Sequence, residues 1–202
     1  MANAPVFDET KLPPYTRNRP SFPKSVDENI AWLRQWQKQI ICDSFDFDYH
    51  YMWDHFNDPG YYRMADILLQ DIKGLRNIGL NGLVSCQVQR SCFPTGLGMY
   101  LMAEGLWNRE IDFESSVAEY FLAAFGPDGL AVRDYLRELS DAFDPRYLRR
   151  ESGPATQADL DRLSAIVPRI DSFLPTIRQH AECAVLSASV RQSWRYLLLH
   201  VD

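Results

Sequence analysis

The sequence predicts an α/β fold, mostly helical overall. It reads as the last strand–helix units of a (β/α)8-type barrel followed by an α-helical C-terminal domain. Three observations predict this. Phe45 to Trp53 alternates strictly, with aromatic residues on one face and ionisable ones on the other, which is a strand pattern. Tyr61 to Leu75 keeps helical spacing, and Leu80 to Gln89 then reads as a second strand, so the two strands should pair in parallel across a helical crossover. Every periodic segment after Thr95 is helical.

The chain has 202 residues, of which 46% are hydrophobic and 13% aromatic, enough to build a globular core. Residues 1–24 carry Pro5, Pro13, Pro14, Pro20 and Pro23 without periodicity, an extended Pro-rich segment. Residues 25–110 read as the C-terminal part of a β/α barrel and 111–202 as an α-helical domain. Ser25-Val26-Asp27-Glu28 has the capping-box pattern, in which serine and glutamate satisfy each other's free amides, and opens a helix to about Gln39. Asp58-Pro59 offers an N-cap followed by proline at the first helical position, and Gly79 a C-terminal stop. Asp112 caps a helix over 113–125 that Gly126 ends; Pro127 opens the next. Thr156 and Asp159 start another, which Pro168 should kink or end, and the last helix is expected from about Thr176.

Two parallel strands do not make a stable sheet alone, because parallel sheets have both faces covered and each strand here would leave an open edge. A barrel needs about eight strands. The chain is therefore expected to be part of a larger barrel protein, or to complete its sheet with a second copy of itself. The proline-rich start and the uncapped apolar run from Tyr196 to Val201 fit a segment of a longer chain.

The net charge is −6, and the densest basic cluster is only Arg146, Arg149 and Arg150, so no nucleic-acid partner is expected. No apolar run approaches the ~20 residues of a membrane span, and no secretory leader is visible, which favours a cytoplasmic protein. Cys42, Cys86, Cys92 and Cys183 form no C-x-x-C pair and read as small buried free thiols.

The chemistry-bearing residues gather at two strand ends. Asp46, Asp48 and His50 share one strand face, with Tyr49, Tyr51, Trp53 and Asp54 interleaved or following. If the aromatic face packs on helices, the acidic face points into a barrel, and His50 onward lies near its mouth, where barrel active sites sit. Carboxylates and imidazoles can hold sugar hydroxyls, and flat rings can stack on a sugar. Asp46, Asp48 and His50 are thus catalytic candidates, with Tyr49, Tyr51, Trp53 and Asp54 as substrate contacts. An acidic strand end facing solvent is the alternative. On the next strand Ser85, Gln87, Gln89 and Arg90 alternate; Gln87, Gln89 and Arg90 could contact substrate, or the set could form a structural hydrogen-bonded network. Phe93-Pro94-Thr95-Gly96 reads as a turn into a helix. No cofactor or metal is expected, although a metal-dependent hydrolase using Asp46, Asp48 and His50 is a third reading. Glycoside hydrolysis usually needs two carboxylates, and no partner for Asp46 or Asp48 stands out.

The runs Phe45-Asp-Phe-Asp-Tyr-His-Tyr-Met-Trp-Asp54, Gly82-Leu-Val-Ser-Cys-Gln-Val-Gln-Arg90, Phe93-Pro-Thr-Gly-Leu97, Leu106-Trp-Asn108 and Asp112-Phe-Glu114 carry a resemblance. Over roughly residues 25–150 the chain resembles the C-terminal half of a large bacterial family of unknown function. Those proteins look like barrel glycosidases related to α-glucuronidases and hexosaminidases. The resemblance implies a sugar-directed barrel followed by helices and assigns no catalytic residue. The chain departs from the family in lacking the preceding barrel strands. The expected function is a glycoside-hydrolase-like protein that acts on or binds a carbohydrate, inactive as this segment alone. The alternative is a non-enzymatic carbohydrate-binding or assembly module.

Overall fold

The computed structural model describes residues 12, 17–18, 23–52, 57–88, 91–143 and 153–201. The elements run α1 (Val26–Gln37), β1 (Phe45–Asp48), α2 (Tyr62–Gly74), a 3-10 turn (Leu75–Ile78), β2 (Gly82–Ser85) and α3 (Leu97–Trp107). They continue with α4 (Phe113–Phe125), a 3-10 turn (Gly126–Asp128), α5 (Gly129–Ala142), α6 (Gln157–Glu182) and α7 (Ala188–Val201). The described residues are thus mostly helical, with one two-stranded parallel sheet whose register runs from Phe45 opposite Gly82 to Asp48 opposite Ser85. No helix among them is long and apolar enough to cross a membrane.

The strands are shorter than the alternation suggests. β1 ends at Asp48 because that residue's own carboxylate accepts the amide of His50 at 3.1 Å, bending the chain into a turn closed by Met52 N–H to Tyr49 C=O at 2.9 Å. The faces also differ from expectation. Leu83 of β2 packs on the cluster of Tyr51, Met64, Leu68, Ile72 and Met102, and Asp48 and Ser85 point to the same side, toward α2. The acidic face of β1 therefore meets the helix, while Phe45, Phe47 and Val84 are exposed on the other face. The physical reason lies in α2: its Asp71 binds the imidazole that Asp48 holds, so the polar face satisfies its own charges against the helix.

Several expected helix ends hold, one cap does not, and one expected break is absent. Ser25 accepts the amide of Glu28 at 3.2 Å, although the Glu28 carboxylate takes the Lys24 amide at 2.8 Å and not that of Ser25; Asp112 accepts the amide of Ser115 at 2.9 Å, and Gly79 takes φ +77° behind the first 3-10 turn. Asp58 is not the N-cap of α2, a position occupied by Tyr61 at φ 57°. Asp58 still anchors the helix: it is buried, accepts the Met64 amide at 2.8 Å and receives the Ser140 hydroxyl of α5. Gly60 lies flush on α5, where a β-carbon would collide with the Leu136 carbonyl. The second correction concerns α6, which runs on through both Pro168 and Pro175. A Thr156–Asp159 capping box starts it, and Ile166, Phe173, Ile177 and Ala181 are buried along it. That burial outweighs the ~3 kcal/mol of an interior proline. The break falls later, where Ser187 accepts the Val190 amide at 3.3 Å and opens α7.

One apolar core joins α2 through α7. At its centre Trp194 is 0% exposed; its indole N–H donates to the Phe125 carbonyl at 3.0 Å and His180 stacks on it at 4.3 Å. The four cysteines are free, but Cys42 and Cys92 are exposed and Cys86 and Cys183 half-buried, not buried as expected.

Candidate functional site

Asp48 closes β1 and is 4% exposed. Its two oxygens are fully engaged. Oδ1 accepts the His50 amide and hydrogen-bonds His50 Nδ1; Oδ2 accepts the Ser85 hydroxyl at 2.9 Å. The other imidazole nitrogen, Nε2, meets Asp71 Oδ2 on α2 at 3.0 Å. One imidazole thus bridges a buried carboxylate on the strand and an exposed one on the helix. Burial alone would lower the basicity of His50, but the hydrogen bonds and charges of Asp48 and Asp71 outweigh it and push its pKa up to about 10. At neutral pH the ring is an imidazolium donating from both nitrogens. Burial would raise Asp48, yet its bonds to His50 and Ser85 leave it below the ordinary carboxylate value.

Asp46 has the opposite setting. Loss of solvent contact raises its pKa first, and the neighbouring Asp48 and Asp71 charges add to that. It lines a cleft of about 340 Å3 between α1 and the β1–α2 unit, together with Asp71. Ile30 and Leu33 of α1, Phe45 of β1 and Leu75 and Ile78 beyond α2 form its apolar walls; Asn29 and Gln70 add amides. The end of α1 is pinned beside it by Gln37, whose side-chain amide donates to the Ile78 carbonyl at 2.8 Å.

The expected site residues divide accordingly. Asp46, Asp48 and His50 do come together. Gln87 is exposed and reaches the same network, its amide 3.4 Å from Ser85 Oγ, and Ser91 adds a hydroxyl 3.5 Å from its carbonyl. Tyr49 is exposed and stands edge-on to Phe47 at 5.1 Å, on the opposite face from the cluster. Tyr51 is 1% exposed, its ring seated in the space left by Gly98 of α3, so it packs the interior and does not line the surface. Trp53, Asp54, Gln89 and Arg90 lie outside the described residues, as do Arg146, Arg149 and Arg150.

Asp71 is the residue that sequence reasoning missed. A signal was present: it stands three residues after Leu68 and four before Leu75, inside the apolar stripe of α2. A carboxylate there needs a partner on the facing element. No group of three or more His, Cys, Asp or Glu side chains among the described residues is placed to hold a metal. Comparison of the chain with family models, with curated proteins and with solved structures gives no match in any of the three.

Proposed function

We propose that this chain is a glycoside-hydrolase-like protein whose carbohydrate site is the cleft between α1 and the β1–α2 unit. One observation carries the reading: two carboxylates, Asp46 and Asp71, line a single cleft. Asp46 is exposed, yet partial shielding from solvent and its acidic neighbours raise its pKa, while Asp71 is bonded to the His50 imidazole. A pair of carboxyl groups flanking the bond is what acid and base roles at a glycosidic bond require. Asp46 would give its proton to the leaving-group oxygen. Asp71 would activate the attacking water. Asp48 and His50 would be positioning residues, fixing Asp71 through the imidazole. On the same reading, β1–α2–β2 is one strand–helix–strand unit of a glycosidase-type barrel.

A panel of nitrophenyl glycosides tests this. Hydrolysis by the wild-type chain is expected to fall about 100-fold in Asp46→Asn and in Asp71→Asn, a normal loss for one acid–base group. A second reading, a binding module without turnover, draws on the closed Asp48–His50 pair, in which no oxygen or ring nitrogen is left for substrate. Saccharide binding without hydrolysis would favour that module. Neither binding nor hydrolysis would overturn both.

A further inference from the structure

The C-terminal helix ends on an imidazole that has no ready place for a second proton. His200 stands in the last turn of α7, its ring edge-on to Tyr61 at 5.8 Å and to Phe93 at 6.2 Å. Tyr196, one turn earlier on the same helix face, meets the same Phe93 at 6.3 Å. His200 thus ties α7 to two segments far from it in sequence, the turn into α2 and the turn into α3. Its Nδ1 is buried and has no hydrogen-bond partner among the described residues. A neutral imidazole tolerates that, because one of its nitrogens carries no proton. An imidazolium does not: both nitrogens must then donate, and an N–H stranded in an apolar setting is costly.

The charged groups nearby are engaged elsewhere. On the way into α2, Asp58 has its oxygens taken by the Met64 amide and the Ser140 hydroxyl, Tyr62 turns its hydroxyl to Glu114, and Arg63 pairs with Asp141. On α7, Arg191 and Arg195 reach back to the Cys183 and Ala181 carbonyls. Cys92, beside Phe93, is exposed and acts on Tyr120. None of these sets the balance at His200: burial lowers its pKa below 6.5, and the Pro59 carbonyl offsets this only in part. Tyr61 adds a second element. It is the N-cap of α2 at φ 57°, a left-handed backbone that a residue with a large side chain keeps only where its surroundings hold it. His200 is part of that hold. We propose that His200 is a pH-operated clasp: a proton on its ring releases the last turn of α7 from Tyr61 and Phe93 and lets the lead-in to α2 relax. The clasp is independent of the carbohydrate reading. Its contribution is whole above 6.5 and is lost as pH falls from there toward the lowered value.

Amide hydrogen exchange read by NMR on the full chain tests this, with rates corrected for their intrinsic pH dependence. From about pH 7.5 to about pH 5, protection of the Leu198 and Val201 amides is expected to fall about tenfold, the worth of one pKa unit. The amides of Phe121 and Phe125, in the helical core, should keep theirs. His50 stays charged throughout this range and adds nothing to the change. His200→Phe fills the same place with a ring that takes no proton, and its protection should not depend on pH. The wild-type ring gives a second readout that needs no variant: the His200 Cε1 proton is expected to titrate below 6.5, in step with the loss of protection. Titration of that ring at 6.5 or above, protection unchanged across its titration, or an equal loss in His200→Phe would each overturn the clasp.

Discussion

Asp48→Ala is expected to lower the unfolding free energy by about 3 kcal/mol, because it removes the buried half of an ion pair and leaves His50 with only the exposed Asp71. The loss affects three groups together: the His50 ring, the His50 amide and the Ser85 hydroxyl all lose the same acceptor. It also cuts the link from β1 to α2, since His50 then holds Asp71 with nothing behind it. The pH dependence fixes the cause. Asp48 has a folded pKa below the ordinary 3.8, so its contribution is present above that value and is lost as pH falls through the lowered one. His50 is raised from 6.5 to about 10, so its contribution is whole below 6.5 and is gone once pH has risen through about 10. Urea titrations of wild type and variant should therefore differ most between these limits, from just above 3.8 to 6.5, and converge toward alkaline pH. A gap that does not shrink as pH rises from 6.5 through about 10 would mean the aspartate acts by packing and not by charge.

Trp194→Ala should cost about 3–5 kcal/mol, the range for deleting a buried tryptophan. Trp194 is fully enclosed, and it ties three helices: its ring meets Phe125 of α4 at 5.3 Å and His180 of α6 at 4.3 Å from its place on α7. The indole N–H also donates to the Phe125 carbonyl at the end of α4, just before the 3-10 turn. In a chain of this length such a loss should lower Tm by about 10 °C. Trp194→Phe should fall between, keeping most of the apolar contact but losing the indole hydrogen bond. A calorimetric change of less than about 1 kcal/mol in the alanine variant would mean that the helical core is not organised around this side chain.

Much of this fold follows from local chemistry, and the helices show why. Asp112, Gly126 and the Thr156–Asp159 box act within one turn of the chain, so the side chains that start and stop α4 and α6 can be read in place. Where tertiary packing decides, local reading fails. Pro168 reads as a kink or an end, but the buried face of α6 holds the helix through it and through Pro175. The five aromatic alternations from Phe45 to Trp53 read as one long strand, yet a single side chain, Asp48, turns the backbone after four residues. The choice of which sheet face meets the helix was equally hidden. It depends on Asp71, 23 residues beyond Asp48 in sequence and joined to it only through His50. The Asp46–Asp48–His50 cluster was legible because its members alternate on one strand. The cleft was not, because its walls come from α1, β1, α2 and the turn after it, and only folding brings these together.

The central claim is that a carbohydrate-type ligand sits in this cleft, against Asp46 and Asp71. An amide-resolved NMR titration of the 15N-labelled chain with glucosamine and with a short neutral oligosaccharide tests it most directly. The account predicts shifts confined to Asn29, Ile30, Phe45, Asp46, Gln70 and Asp71, saturating with one site. Saturating shifts that fall elsewhere, for instance on the exposed face of Phe47, Tyr49 and Val84, or no shifts with either sugar, would contradict it.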